Sequence, residues 1–247
     1  MFRSLCNAVD LAGLWLLLVL GRLGSPIRRT MLTLCVALAG ALSMLVGCAG
    51  TQPRPYHDLE SARQLRPNLA DDADQEPWRV PARRVAWQRY ASAIVEPVVV
   101  YRGDDAQFED VGEADRTLLA QYMDTRFAQA LGQRFAIVDA PGPDTLRIRI
   151  TLTGAKATSR GISTLTRFDL IGGPYNLVQA ARGKEGSFTG SVSYAVEVYD
   201  ANSQALLDGY VAKRYPNALD IGASLGRLDA SRVGIDKGAA ALAARLR

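Results

Sequence analysis

The residue with the clearest chemistry in this sequence is Cys48, which ends the motif Leu45–Cys48. The motif closes an uncharged apolar run, Met31–Val46, and Ala49 follows the cysteine. An apolar segment, small residues and then a cysteine are typical of the end of a bacterial lipoprotein signal peptide. At such a site the thiol receives a diacylglycerol, a peptidase cleaves before the cysteine, and the new N-terminus is acylated. We therefore predict that residues 1–47 are removed and that the S-diacylglycerol and N-acyl chains of Cys48 anchor the mature protein.

The alternative for the two apolar stretches of the leader is a pair of membrane-spanning helices. Leu11–Gly21 is shorter than the roughly 20 residues that a spanning helix needs, and Met31–Gly47 is at the lower limit. Three arginines between these stretches instead supply the basic region of a signal peptide. The leader is long, so either translation starts downstream of Met1, which we favour, or the leader carries an extra apolar extension. Because Ala49 and not an aspartate follows the cysteine, we expect sorting to the outer membrane, with the protein facing the periplasm.

The leader also accounts for most of the net charge and for two of the three cysteines. Four arginines against one aspartate give residues 1–47 a net charge of +3, which leaves +1 of the chain's +4 for residues 48–247. A nearly neutral chain offers no bulk-charge argument for nucleic-acid binding, and we expect no nucleic-acid partner. Cys6 and Cys35 lie in the leader. The mature chain therefore has neither an internal disulfide nor a free thiol for catalysis or metal binding.

Other residues with catalytic or ligand chemistry are few. His57 is the only histidine and lies in a polar stretch, so we interpret it as solvated and expect no histidine-based catalysis or metal site. The acidic run Asp71–Glu76 lacks the glycine turn and closing glutamate of an EF-hand, and we interpret it as solvated too. Gly183–Ser187 lacks the spacing of a phosphate-binding loop. We therefore expect a protein that is not an enzyme and that has no cofactor and no metal.

The elements that position these residues follow from hydrophobic periodicity. Strict alternation of apolar and polar residues predicts strands with one buried and one solvated face. Leu119, Met123 and Phe127 recur at helical spacing, with Leu118 widening the apolar stripe. In chain order, the predicted elements are a strand at Ile94–Tyr101, a helix at Glu113–Leu131, strands at Phe135–Val138, Leu146–Thr153, Ser191–Tyr199 and Ala205–Tyr215, and a helix at Ala230–Leu246.

Runs of adjacent strands between two helices indicate an α+β fold. We expect a mostly antiparallel β-sheet with two α-helices packed on one face. Residues 48–85 are polar and rich in proline, and we predict that they form an extended N-terminal tether. A single α+β periplasmic domain over residues 86–247 follows the tether.

Two regions are candidates for an interaction surface. Arg147 and Arg149 share the solvated face of one predicted strand. With Lys213 and Arg214 nearby, they would form a basic stripe for headgroups, glycan or an acidic partner, although an ordinary solvated sheet face is the interpretation that we favour. The segment between Lys156 and Gly190 has no clear period but has apolar content, and long segments of this kind are often functional. Its candidate contact residues are Phe168, Leu170, Ile171 and Tyr175.

Several turn and strand patterns occur in an order that resembles a known family. They are Ser61–Pro67, Tyr90, Glu96–Val100, the helix with Tyr122, Asp139–Asp144, Leu146–Leu152 and Glu197–Ser203. Because these patterns occur in this order, the chain from about Leu59 to the end resembles the proteobacterial lipoprotein family of domain of unknown function 3313. The resemblance implies a secreted, lipidated, non-enzymatic domain and carries no catalytic residues over to this sequence.

We therefore expect an outer-membrane-anchored periplasmic lipoprotein that acts by binding or assembly with another cell-envelope component. Its expected partners are the membrane, through the lipid anchor, and an envelope protein or a lipid ligand. The alternative is a lipid- or small-ligand-binding accessory lipoprotein of an envelope transport system. That alternative reflects the order of elements, which is also similar to auxiliary lipoproteins of lipid-transport systems.

Overall fold

The computed structural model describes residues 51–71, 75–158, 190–217 and 226–247. The strands in these ranges are β1 (Arg66–Pro67), β2 (Trp78–Arg79), β3 (Ser92–Val95), β4 (Val99–Val100), β5 (Gln107–Phe108), β6 (Ala136–Ile137), β7 (Thr145–Lys156), β8 (Ser191–Asp200) and β9 (Leu206–Arg214). The α-helices are α1 (Glu113–Leu131) and α2 (Asp229–Arg245), and a 3-10 turn spans Trp87–Arg89. Neither α1 nor α2, the α-helices of the described ranges, is long and apolar enough to cross a membrane.

The nine strands form one mixed sheet in the order β1-β2-β9-β8-β7-β3-β6, with β4 and β5 also paired to β7. The three long strands β7, β8 and β9 are antiparallel neighbours. The short strands β3, β4 and β5 pair in parallel with successive parts of β7. Along the chain, α1 follows β3 and precedes β6 and β7, which both pair with β3 in parallel. Parallel neighbours need a long crossover connection, and α1 is part of that connection. The predicted α+β fold, with a largely antiparallel sheet and two helices on one face, is confirmed.

An apolar core fills the space between the helices and the sheet. Alternate residues of β7 from Leu146 to Leu152 are fully buried there, together with Val192, Tyr194, Val196 and Val198 of β8. Helix α1 contributes Leu119, Met123, Phe127 and Leu131, and α2 contributes Ile235, Ala239 and Leu242, followed by Leu246. The prediction that Leu118 widens the α1 stripe is wrong, because this side chain is 50% exposed. One-residue steps along a helix rotate by 100°, which carries Leu118 to the edge of the buried face.

Small residues let α2 approach the sheet closely. A Cβ atom on Gly234 would lie 2.8 Å from the carbonyl oxygen of Arg214 and 2.9 Å from Cγ1 of Val192. One turn further along, a Cβ atom on Gly238 would overlap the hydroxyl group of Tyr194. Both glycines are therefore required by the close packing of α2 against β8 and β9.

The second face of the sheet is covered by residues 56–80 and is not solvated as predicted. A second apolar cluster contains Tyr56, Leu59, Leu65 and Val80 from this segment, and Tyr101, Ala195 and Val211 beneath it. Strands β1 and β2 extend the sheet beyond β9, and all ten residues of β8 are buried.

These contacts correct the predicted tether for its described residues between Tyr56 and Val80. Residues Gly50–Arg247 form one compact unit. Tyr56, Leu59, Leu65 and Val80 belong to its core, and β1 and β2 belong to its sheet. The sequence pattern was misleading because the apolar residues of this segment are few and widely spaced. Each of them is nevertheless buried in the second apolar cluster, where its burial is favourable.

Candidate functional site

Arg147 and Arg149, the predicted basic stripe, lie in a compact salt-bridge cluster. Nη1 of Arg149 is 2.5 Å from Oε1 of Glu60, and its Nε donates to Oε2 of Glu96 at 2.8 Å. Nε of Arg147 is 3.4 Å from Oε1 of Glu96. Glu60 belongs to the segment that covers the sheet, and both arginine side chains are only about a quarter exposed, at 26% and 24%. The structure therefore brings the two predicted residues together, but on a covered face.

The aromatic ring of Tyr199 completes this cluster. The guanidinium groups of Arg147 and Arg149 lie 5.2 and 5.9 Å from its centroid, and its hydroxyl donates to Oε2 of Glu60 at 3.0 Å. The hydrogen bond from Arg149 holds the pKa of Glu60 below its usual range. Burial alone would lower the pKa of Arg149, but Glu96 and Glu60 raise it above the ordinary value. The cluster holds two cations against two carboxylates, so its chemistry is that of a neutralised structural contact.

Lys213 and Arg214, expected beside the basic stripe, point to opposite faces of β9, as consecutive strand residues must. Nζ of Lys213 donates to the backbone oxygen of Thr51 at 2.9 Å. Arg214 turns towards the helical side, where its Nη1 donates to Oε1 of Gln75 at 2.9 Å. The four basic residues therefore do not form one stripe.

Arg214 belongs to a largely buried ion network that the sequence did not reveal. Its Nη2 is 2.5 Å from Oε1 of Glu76, and Nη2 of Arg245 donates to Oε2 of the same carboxylate at 2.9 Å. Nε of Arg245 lies 3.4 Å from Oδ2 of Asp208. The guanidinium of Arg245 also stacks 4.3 Å from the ring centroid of Tyr210. The network ties the C-terminal end of α2 to β9 and to the segment before β2.

The prediction that the acidic run Asp71–Glu76 is solvated is therefore wrong for Glu76. Burial alone would raise the pKa of Glu76, but the charges of Arg245 and Arg214 outweigh it and hold the pKa below its usual range. Glu76 and Arg245 are 169 residues apart in sequence, so no local spacing could have paired them. Asp72 and Asp74 lie outside the described residues.

His57 bridges two carboxylates on the surface of the molecule. Its Nε2 is 2.9 Å from Oδ1 of Asp104, and its Nδ1 is 3.2 Å from Oδ2 of Asp105. The hydrogen bond to Asp104, helped by the charge of Asp105, raises the pKa of His57 above its ordinary value. The His57 side chain is 64% exposed, in agreement with its interpretation as solvated, but its ring also contacts the carboxylates of Asp104 and Asp105.

The donor atoms of His57, Asp104 and Asp105 are close enough together to hold a metal ion. Within the part of the chain that the structure describes, no other group of His, Cys, Asp and Glu side chains has this geometry. A metal-binding histidine is neutral and offers one bare ring nitrogen. Here each ring nitrogen already faces its own carboxylate, an arrangement that matches the two N–H donors of an imidazolium. The geometry therefore favours a bound proton over a metal ion.

A polar recess of about 310 Å³ lies at the hairpin between β8 and β9. It is lined by Arg89, Pro143, Asp200, Asn202 and Ser203. The Asp200 carboxylate accepts hydrogen bonds from the backbone of Ser203 at 2.8 Å and from the hydroxyl of Tyr90 at 2.8 Å. The Ser203 hydrogen bond is the main reason that the pKa of Asp200 falls to about 2. This carboxylate serves the turn and is not poised for proton transfer.

The remaining predicted site residues lie outside the described residues. They are the lipid-attachment residue Cys48 and the candidate contact residues Phe168, Leu170, Ile171 and Tyr175. The segment that contains the last four leaves the sheet after β7 and returns before β8, so both of its ends are at the same edge of the molecule as Thr51.

The chain is similar to solved structures from Paraburkholderia phytofirmans and Xanthomonas campestris. Two structures of the PelC dodecamer from Paraburkholderia phytofirmans, one of a point variant, are 13% and 11% identical and match 68% of this chain. The match covers 91% and 95% of the PelC chains, with TM-scores of 0.35 and 0.37. Protein XCC0632 from Xanthomonas campestris is 8% identical over 66% of this chain and 87% of its own, with a TM-score of 0.33. No curated protein matches the chain.

The family match is extensive. Residues 56–242 match the family described as protein of unknown function (DUF3313). The matched range starts at Tyr56 and ends at Leu242 of α2, so it includes the segment that covers the sheet, all of α1 and most of α2. The resemblance inferred from turn and strand patterns is confirmed, and the chain belongs to the DUF3313 family.

Proposed function

We propose that this protein is a lipoprotein anchored through Cys48 in the outer membrane, facing the periplasm, that acts by binding another component of the cell envelope. The observation that carries the proposal is the motif Leu45–Cys48 at the end of an uncharged apolar run. The family match begins at Tyr56, shortly after the proposed cleavage site, so cleavage would leave the matched domain whole. The ion clusters of the described residues serve packing, which supports a binding role over a catalytic one.

The anchor is tested by replacing the cysteine in the full-length protein. Cys48→Ser should abolish incorporation of labelled fatty acid and should leave a precursor that retains the leader, as measured by mass spectrometry of the membrane fraction. Cys35→Ser is the matched control, because it changes a cysteine of the leader. It should be processed and lipidated normally. Fatty-acid labelling that survives Cys48→Ser would contradict the proposal.

The binding surface must lie elsewhere than on the sheet face with Arg147 and Arg149, which the segment from Tyr56 to Val80 covers. The remaining candidate is the segment between Lys156 and Gly190. Deletion of Phe168–Val178 should abolish in-cell crosslinks to an envelope partner while the thermal unfolding of the domain is retained. Leu118→Ser, which changes an apolar residue that is half exposed on α1, is the control and should leave the crosslinks intact. Unchanged crosslinks after the deletion would rule this segment out.

The alternative of a lipid-binding accessory predicts a different result. The recess at Asp200 is lined mainly by polar and charged side chains and offers little to an acyl chain. Native mass spectrometry of gently purified protein separates the two functions. A lipid adduct beyond the covalent anchor would favour the accessory role, and a mass that is accounted for by protein and anchor would favour the binding role.

A further inference from the structure

The first residues of the described chain are fastened to one end of the sheet. Nζ of Lys213 donates to the backbone oxygen of Thr51 at 2.9 Å, and Oγ1 of Thr51 donates to Oε1 of Glu109 at 3.0 Å. Nε2 of Gln107 donates to the backbone oxygen of Gln52 at 3.0 Å. The side chains of Lys213, Glu109 and Gln107 thus hold Thr51 and Gln52 in place.

A fourth contact follows directly along the chain. Nε1 of Trp78 donates to the backbone oxygen of Pro53 at 2.9 Å, and Pro53 itself is buried. Because side chains from β2, β5 and β9 all bind these residues, the N-terminal segment is part of the fold from Thr51 onward.

This fastening limits how far the domain can be from its lipid anchor. Only Ala49 and Gly50 separate Cys48 from Thr51. A fully extended chain spans at most about 3.3–3.6 Å per residue, so the Cα atoms of Cys48 and Thr51 are within about 11 Å of each other. That upper limit is only slightly longer than the Debye length of about 8 Å at physiological ionic strength, so charges close to Thr51 would be only partly screened from the headgroups.

The fastened end and the hairpin turn lie at opposite ends of the sheet. Thr51 is close to Lys156 at the end of β7, Ser191 at the start of β8 and Lys213 near the end of β9. Strand β8 runs from there over ten residues to the turn that contains Ala205. At about 3.3 Å per residue, the turn is roughly 30 Å away from the fastened end.

We propose that the folded domain sits directly against the bilayer, with the end of the sheet around Thr51 facing the lipid headgroups. Gln52 and Arg54 are exposed at this end. The arginine guanidinium and the glutamine amide are donors that suit the phosphates of lipid headgroups. The proposal rests on the proposed lipidation of Cys48, and it gives the anchored protein a fixed membrane-facing end in place of a free tether.

The proposal is tested with the full-length lipidated protein in vesicles of phosphatidylethanolamine and phosphatidylglycerol. The thiol of Cys48 is blocked by its lipid, so a single introduced cysteine carries the only fluorescent label. Gln52→Cys reports the fastened end, and Ala205→Cys is the matched exposed position at the far turn. With a quencher on the lipid headgroups, we expect at least two-fold stronger quenching at position 52 than at position 205.

A linker variant supplies the second arm. Insertion of about twelve Gly and Ser residues after Gly50 adds a flexible spacer of roughly 20 Å, which should reduce the quenching at position 52 to the level seen at position 205. Equal quenching at the two positions in lipidated protein without the linker would overturn membrane apposition and leave the proposed anchor intact. Absence of acyl mass at Cys48 would overturn both proposals.

Discussion

Two charged side chains, Glu197 and Arg214, lie almost entirely buried in the sheet, at 1% and 7% exposure. Each has a partner from the N-terminal segment. Glu197 accepts a hydrogen bond from the backbone of Ser61 at 2.6 Å, and Arg214 pairs with Glu76. A buried charge without a partner would cost several kcal/mol, so these residues make the fold depend on the segment that supplies their partners.

At the same scale, His57 provides a pH-dependent contact between the N-terminal segment and the turn at Asp104 and Asp105. Its pKa is raised above 6.5, so its contribution to stability is complete below that pH and is lost as the pH rises through the raised pKa of the folded state. We expect its NMR titration midpoint to lie above 6.5. The chain has one histidine, so the assignment is unambiguous.

The control for this titration is Asp104→Asn, which removes the carboxylate that faces Nε2 and should lower the midpoint. Asp58 also raises the pKa of His57 through its charge and remains in this variant. A midpoint at or below 6.5 in the wild-type protein would show that the two contacts do not hold a proton in solution.

At the scale of elements, the position of α2 on the sheet is determined by two kinds of contact. Gly234 and Gly238 allow close approach along its middle, and Arg245 joins the ion network at its C-terminal end. The first contact is steric and the second electrostatic, so substitutions can separate them.

The steric contact predicts that Gly238→Ala destabilises the protein although alanine is the better helix former. Helix propensity would add about 1 kcal/mol, but overpacking against the fully buried Tyr194 costs about 1–3 kcal/mol. We expect the free energy of unfolding in urea to fall by up to about 2 kcal/mol. Tyr194→Phe removes the overlapping hydroxyl, and the double variant should recover most of this loss.

Gly112→Ala is the matched control for Gly238→Ala. Gly112 precedes α1, and a Cβ atom there would meet nothing within 4 Å. Alanine is a poorer N-cap than glycine, so this variant should lose about 0.5–1 kcal/mol, and Tyr194→Phe should not recover that loss. A Gly238→Ala loss that Tyr194→Phe also fails to recover would contradict the close approach of α2 to the sheet.

The electrostatic contact predicts that Glu76→Gln is strongly destabilising. The substitution leaves Arg214 and Arg245 facing each other with less compensation, and breaking a largely buried pair should cost about 3 kcal/mol at pH 7. The pKa of Glu76 is depressed, so its contribution is present above the ordinary value of 4.5 and is lost as the pH falls. The difference between wild type and variant in urea unfolding should therefore shrink in acid.

Glu113→Gln supplies the exposed counterpart of Glu76→Gln. The ion pair between Glu113 and Arg102 has side chains that are 53% and 73% exposed. Its loss should change the free energy of unfolding by less than about 1 kcal/mol. A Glu76→Gln effect of the same small size would mean that the network contributes little to stability.

At the scale of the whole molecule, the sheet lies between two layers that differ in kind. Two helices cover one face, and an irregular N-terminal segment with two short strands covers the other. Because the second layer is continuous with the proposed anchor, the same residues that complete the core would also bring the domain close to the membrane in the proposed arrangement.

We predict that a chain of residues 86–247 does not fold on its own, whereas residues 51–247 do. The shorter chain lacks Tyr56, Leu59, Leu65 and Val80, each of which is buried on the second face. At about 1.5–3 kcal/mol for each buried side chain, the loss is of the same order as the total stability of a typical domain. Circular dichroism should show cooperative thermal unfolding for the longer chain only. A monomeric, cooperatively unfolding chain of residues 86–247 would refute the role of the second layer.

The sequence alone determined the two helices and the three long strands of the sheet. Helix α1 spans the predicted residues, α2 is displaced by one residue, and β7, β8 and β9 lie where alternation placed them. These features are readable because periodicity is a local property of the chain. The motif at Cys48 is local in the same sense, which is why it can be identified from the sequence and remains the basis of the proposed anchor.

The tertiary structure decided what covers the second face of the sheet and which charges meet. The partners Ser61 and Glu197 are 136 residues apart, and Glu76 and Arg245 are 169 apart. A polar, proline-rich segment gives no periodic signal of burial, and its few apolar side chains acquire their role only when a sheet is present to receive them. Local patterns therefore identified the long strands and both helices, whereas the closure of the core by the segment from Tyr56 to Val80 depends on contacts that no spacing in the sequence encodes.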